Sequence, residues 1–163
     1  MAFLYVFGSA VWNFIGAGVF GGGTLNAPLI NYYEHGTFLT LNHAHMALFG
    51  AFGLFAIGLI YFCLRYAFGD RFVWSDKLSI WGFWLYNLSL ILWMVLNLLP
   101  VGYLQLNEVY NHGFYYARGI EFYNKVVMWQ WLRFPGDIVF AVASLIMMFD
   151  FVIKLKPFYS QKT

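Results

Sequence analysis

A single cysteine, Cys63, is the only thiol in 163 residues, which excludes an internal disulfide framework. Charge is also scarce: Lys, Arg, Asp and Glu make up 10% of the chain, against about 25% in a soluble domain. The net charge of +2 is spread over loops, with no basic run of the kind that binds nucleic acid. The first ten residues, MAFLYVFGSA, have no Lys or Arg ahead of their apolar run and no cleavage signature. That pattern predicts a retained helix rather than a signal peptide. In place of charge the chain has apolar surface, with 62% hydrophobic and 23% aromatic residues, the composition of an integral membrane protein.

Four apolar stretches are long enough to cross a hydrocarbon core of ~30 Å, which takes about 20 helical residues. They run approximately over 3–25, 40–66, 78–104 and 137–155. The expected fold is all-α: one polytopic membrane domain over 1–163 with about four transmembrane helices. The first stretch is glycine-rich, with Gly8, Gly16, Gly18 and the triplet Gly21 to Gly23, so a neighbouring helix can approach closely and its end is expected to kink. Asn-Ala-Pro at 26–28 stops it. Between the third and fourth stretches, 105–134 is polar and tyrosine-rich, with room for a short interfacial helix.

Loop charge predicts orientation. The loop over 26–39 has no Lys or Arg, whereas Arg65, Arg71, Lys77, Lys154, Lys156 and Lys162 fall on the other side, against Arg118, Lys125 and Arg133. The positive-inside rule then makes both termini cytoplasmic and starts the second helix at the outer face. In a bacterial or archaeal cell this is the inner membrane.

The segment TLNHAHMALFG, Thr40 to Gly50, places His43 and His45 two residues apart near that outer end. Successive helical residues turn by about 100°, so the two imidazoles project roughly 160° apart. They cannot chelate one ion, which needs i, i+3 or i, i+4 spacing. The spacing serves two separate centres with the helix between them, and two haems with one axial nitrogen each satisfy it. No C-x-x-C-H motif is present, so haem here would be held without thioether bonds, as a b-type or related group. The small residues Ala44, Ala47, Gly50 and Gly53 let a flat macrocycle lie against the helix. Packed, hydrogen-bonded histidines are the alternative reading of the same residues.

The motifs YYEHGT, NHAH, HGFYYAR, EFY and RFPGD follow one another in an order that resembles the nitric oxide reductase large subunit, in its quinol-dependent form, a branch of the haem-copper oxidase superfamily. The resemblance covers essentially the whole chain and corresponds to the C-terminal portion of that protein. The family usually has glycine between the histidines, where this chain has Ala44. By position, His43 resembles the proximal ligand of the high-spin haem iron and His45 one of the two axial ligands of the low-spin haem iron. The resemblance implies two haem b groups shared with helices outside this sequence, a quinol donor, and joining of two nitric oxide molecules into nitrous oxide. It also exposes a deficit. The family's non-haem iron takes three histidines and a glutamate, yet the chain has only His35, His43, His45 and His112 and no His-His dipeptide. The remaining helices of the bundle are therefore expected on another polypeptide or in a missing part, and this chain alone should not reduce nitric oxide. Two alternatives stay open: a small non-catalytic haem protein, and a cofactor-free helical membrane protein.

Among the other polar residues, Arg118 and Arg133 are candidates for contact with haem propionates, because a guanidinium binds carboxylate in bidentate fashion. Glu34 is a candidate for the same network or a proton path, and His35 and His112 read as interfacial. Asp137, after Pro-Gly, reads as a helix N-cap. Asp150 has Lys154 four residues on, which predicts an ion pair on one helix face. Met46, Met147 and Met148 read as packing residues. Asn13, Asn87 and Asn97 lie at membrane depth and require neighbours.

Overall fold

The computed structural model describes residues 1–69 and 74–160, with the side chains of Phe20 and 157–160 outside the description. Arg71 and Lys162, used above for orientation, lie outside the described residues. Among these residues the regular structure is entirely helical. Four helices are long and apolar enough to cross a membrane. We number the elements α1 (Ala2–Gly23), α2 (Pro28–Glu34), α3 (Phe38–Phe68), α4 (Lys77–His112), α5 (Phe114–Ala117), α6 (Ile120–Lys125), α7 (Val127–Trp131) and α8 (Phe134–Ser160). The chain is a membrane protein whose spans are α1, α3, α4 and Val127–Lys156, of which α8 forms the greater part.

Two spans outrun the bilayer. At 31 and 36 residues, α3 and α4 are about 46 and 54 Å long by the 1.5 Å rise. The sequence pattern ends the third apolar stretch near 104, but the helix continues to His112. Its last turns are polar and stand beyond the hydrocarbon, and Gly113, at φ 84°, ends them. The segment that follows is three short helices, α5 to α7.

Sequential spans pair, α1 along α3 and α4 along α8, around a core that includes Tyr5, Met46, Leu54, Phe83, Leu90 and Met147. The α4/α8 seam has a polar rung at every seventh residue of α4. Ser79 Oγ donates to Asp150 Oδ2 (2.9 Å), Tyr86 Oη to Ser144 Oγ (3.2 Å) and Trp93 Nε1 to Asp137 Oδ1 (2.9 Å). A seven-residue repeat is the period at which two helices keep one seam in contact. Outward faces carry exposed apolar side chains such as Phe3, Phe7, Leu48, Phe52, Trp84 and Phe149, as lipid or further helices require.

Among the described residues the helices are widened to i→i+5 geometry in three places: Asn13–Gly23 in α1, Met46–Gly53 in α3 and Met94–Leu98 in α4. The last precedes Pro100, which has no N–H to continue the ladder. The first two face one another, and the second begins directly after His45. Gly16 makes their approach possible, since a Cβ there would fall on Met46 Cβ.

At the end away from the histidines, α3, α4 and α8 converge on one buried carboxylate, and α1 joins the cluster through Tyr5. Asp150 and Lys154 side chains are each only 3% exposed. Asp150 Oδ2 accepts from Lys154 Nζ (2.5 Å), Tyr61 Oη (2.5 Å) and Ser79 Oγ, and Lys154 Nζ also donates to Ser79 Oγ (2.6 Å). Tyr5 Oη donates to Ser79 O (2.9 Å) and to Met147 Sδ (3.1 Å). The helix-face pair expected from sequence is therefore the hub of an interhelical network. Asp137 differs from its expected capping role: α8 starts earlier, at Phe134, with Pro135 in its first turn, where a missing N–H costs nothing. Its carboxylate is used instead by Trp93 and Arg133.

Candidate functional site

The end of the bundle that carries His43 and His45 is built by tying the start of α3 to three other segments. Thr37 caps the helix, its Oγ1 accepting from Leu39 N (3.2 Å). Gln105 of α4, 1% exposed, accepts from Phe38 N (2.9 Å) and donates Nε2 to Ala117 O (2.9 Å). One side chain thus satisfies a helix-start donor and anchors α5. Ahead of the cap, Glu34, 2% exposed, accepts from Thr40 Oγ1 (3.0 Å) and Asn31 Nδ2 (3.3 Å). Gly36, at φ 75°, makes the turn between them, and Arg118 NH2 donates to His35 O (2.8 Å) across it. A side chain on Gly36 would strike that guanidinium.

With α3 pinned in rotation, the two imidazoles leave it on different sides. His43 faces α1: its Nδ1 lies 3.0 Å from Gly16 O, and its Cε1 is the side-chain atom nearest a Cβ built on Gly22. His45 faces α4, with Nδ1 2.8 Å from Leu41 O and its ring edge-on to Trp93 at 5.2 Å between centroids. A carbonyl oxygen can only accept, so both Nδ1 atoms are assigned the proton and both Nε2 atoms keep the lone pair. That is the tautomer of a metal-ligating imidazole whose other nitrogen is oriented by a backbone carbonyl. Both residues are half-buried. The donor set and its tautomer fit haem iron, which either imidazole would hold through its Nε2.

The glycine triplet has a specific part in this. In the widened turn, a Cβ on Gly21 would fall on Gly16 O, the atom that holds His43. Glycine keeps that oxygen open to the imidazole across the interface.

The remaining predicted residues are dispersed. Arg133 lies on the His45 flank, its Nε donating to Asp137 Oδ1 (3.2 Å) and its Cζ 5.7 Å from the Trp93 ring centroid. Arg118 clamps the loop before α3 instead of standing beside either imidazole. His112 pairs with Glu108 (2.7 Å) on the last turn of α4. Nearby, Lys125 Nζ donates to Tyr116 Oη (2.6 Å), which holds its ammonium above the ordinary lysine range. Met46 and Met147 are buried in the core, whereas Met148 is exposed. Among the polar residues at depth, Asn87 Oδ1 accepts from Trp12 Nε1 (2.7 Å), and Asn97 Nδ2 donates to Trp129 O (2.8 Å). The buried Oδ1 atoms of Asn42 and Asn97 have no donor among the described residues. Among those residues no three His, Cys, Asp or Glu side chains converge as a metal set. Trp93 and Gln105 are the contributors that the sequence pattern does not single out; a glutamine just past the third apolar stretch is the one visible signal.

Comparison with known proteins returns one family. Residues 1–139 match the family model for cytochrome c and quinol oxidase polypeptide I. A nitric oxide reductase subunit of Stutzerimonas stutzeri is 30% identical over 158 residues, 92% of this chain and 32% of that protein. Cytochrome c oxidase subunit 1 of Rhodobacter capsulatus is 30% identical over 80 residues, 49% of this chain and 15% of that protein. A cytochrome c oxidase subunit 1 homologue of Agrobacterium tumefaciens is 24% identical over 139 residues, 84% of this chain and 26% of that protein. The chain thus spans about a third or less of the length of these relatives.

Proposed function

Because the chain belongs to the cytochrome c and quinol oxidase polypeptide I family, within the haem-copper oxidase superfamily, we propose that it is the two-histidine portion of a nitric oxide reductase. Similarity to the reductase extends over 92% of the chain, whereas the oxidase of equal identity reaches only 49%. The oxidase homologue that reaches 84% of the chain is only 24% identical, so identity and reach together favour the reductase branch over an oxidase.

In this reading His43, which faces α1, would hold the high-spin haem iron, and His45, which faces α4, would hold the low-spin haem iron. Each bound haem b supplies a one-electron redox centre. The chain's own residues do the positioning. Gly16 O and Leu41 O orient the two imidazoles, while Thr37, Gln105 and the Arg118 clamp hold the helix that carries both. Arg133 meets Asp137 through Nε and is 41% exposed, so its outer NH groups are accessible to a propionate. The overall reaction combines two nitric oxide molecules, two electrons from quinol and two protons into nitrous oxide and water. The second low-spin ligand and the non-haem iron set come from the rest of the bundle, as does part of the cover for the exposed apolar faces.

The described cations at the end away from the histidines are Arg65, Lys77, Lys154 and Lys156, with Arg118, Lys125 and Arg133 at the histidine end. Of the first group, Lys154 is buried in its ion pair. We place the histidine end outward and both termini in the cytoplasm of a bacterial or archaeal cell. The observation that carries the proposal is the pair of imidazoles on opposite flanks of one helix, each with Nδ1 tied to a carbonyl.

The test is co-expression of this chain with the remaining helices of the family bundle, followed by nitrous oxide measurement in membranes supplied with quinol and nitric oxide. Turnover that needs both parts supports the reading. A haem-loaded assembly that reduces oxygen and leaves nitric oxide untouched overturns it in favour of an oxidase.

A further inference from the structure

The α4 flank of His45 is more elaborate than an axial ligand alone requires. Trp93, 6% exposed, meets the imidazole edge-on, with centroids 5.2 Å apart and planes at 75°. The indole is itself held from α8. Its Nε1 donates to Asp137 Oδ1 at 2.9 Å, Phe140 packs against it tilted, at 5.1 Å and 31°, and Gly136 leaves room for the ring where a Cβ would strike Cδ1 and Nε1. Arg133 donates to the same Asp137 oxygen at 3.2 Å and places its guanidinium over the indole. The carboxylate therefore has a counter-charge, and the charge on the tether of Trp93 is balanced.

From this geometry we infer that Trp93 is a positioning residue for His45, fixing the plane of its imidazole, and that Asp137 acts through Trp93. The inference rests on His45 ligating the low-spin haem. The physical reason is a count of constraints. The bond from His45 Nδ1 to Leu41 O fixes one point of the ring and leaves it able to swing about that point. A rigid indole edge on the open side removes the swing, provided that the indole cannot move. A phenylalanine there would pack but would have no tether; the indole N–H adds one, anchored on a different helix. Orienting groups of this kind fix ligand geometry at metal centres, and their loss changes the metal's electronic signature before it changes the fold. The plane of an axial imidazole sets how its π orbitals meet the iron d orbitals, so the magnetic anisotropy of a low-spin haem reports that plane directly.

The experiment uses the assembled, haem-loaded protein and low-temperature electron paramagnetic resonance of its low-spin and high-spin signals. Three variants are compared with the parent: Trp93→Leu, Trp93→Phe and Asp137→Asn. We expect Trp93→Leu to shift and broaden the low-spin g values with the high-spin signal unchanged, and the other two to give a smaller shift of the same kind. Asp137→Asn is isosteric, so it reads the tether even if Trp93→Leu does not assemble. Low-spin signals identical to the parent in the assembled variants overturn the inference, as does equal loss of both haems with unchanged line positions, the mark of a merely structural role. A parent protein with no low-spin signal that depends on His45 overturns the haem reading itself, and the inference with it.

Discussion

Removing Lys154 should be far more damaging than removing Lys154 and Asp150 together. Both side chains are 3% exposed, and they meet at 2.5 Å inside the four-span bundle. Lys154→Met leaves the Asp150 carboxylate with the hydroxyls of Tyr61 and Ser79 but no counter-charge. Breaking one partner of a buried pair costs about 3 to 5 kcal/mol. Asp150→Leu leaves the ammonium with Ser79 and the face of Tyr61, 4.8 Å from its centroid, and should cost a similar amount. The double variant removes both charges and strands only hydroxyls. Tyr61 Oη can still turn to Met147 Sδ, 3.7 Å away, and Ser79 lies in a helix where it can bond a backbone carbonyl. Its cost should therefore be about 1 to 2 kcal/mol, at the low end of the penalty for an unsatisfied hydroxyl. The coupling energy is then several kcal/mol, well above the 0.5 kcal/mol or so within which independent sites add. Denaturation of the purified chain in mixed detergent micelles, followed by tryptophan fluorescence, measures all three. Losses that simply add in the double variant would refute the buried-pair reasoning, as would single variants within about 0.5 kcal/mol of the parent. Haem retention provides a control: Tyr61 lies 16 residues along α3 from His45, about 24 Å by helical rise, so the double variant should leave haem spectra unchanged.

Two further outcomes follow from the histidine end. Gln105→Leu removes the acceptor of Phe38 N–H and the donor to Ala117 O, and should cost about 2 to 6 kcal/mol at roughly 1 to 3 kcal/mol per stranded group. Hydrogen exchange should localise the added opening to the first turns of α3 and to α5. Gly21→Ala puts a methyl on Gly16 O and forces the widened turn to close, so it should weaken the His43 haem signal while sparing the His45 signal. Optical spectra of the assembled protein check this.

The spans were legible because membrane insertion writes them into composition: runs of apolar residues of the required length have few other uses. The position of the histidines near one end of α3, and their divergence, also followed from helical period alone. Less visible was anything that depends on which helix neighbours which. Asp150 and Lys154 are a pair by spacing, but Tyr5, Tyr61 and Ser79 join them from 71 to 145 residues away in sequence, and no periodicity announces that. Asp137 looked like a cap because Pro-Gly precedes it, yet Pro135 is itself inside the helix. The widened turns escaped notice because an i→i+5 stretch differs from an α-helix by one residue of register. The glycine triplet predicts close helix approach and a kinked end, but no sequence pattern shows that Gly21 also clears the oxygen that orients His43. Arg118 matched a propionate contact by residue type, but its guanidinium closes the turn at Gly36.

The most direct measurement is the optical and magnetic spectrum of the assembled protein with His43→Ala and, separately, His45→Ala. Ligation from two flanks of one helix predicts that the first variant loses only the high-spin signature and the second only the low-spin one. Loss of the same signature from both, or of neither, would contradict it.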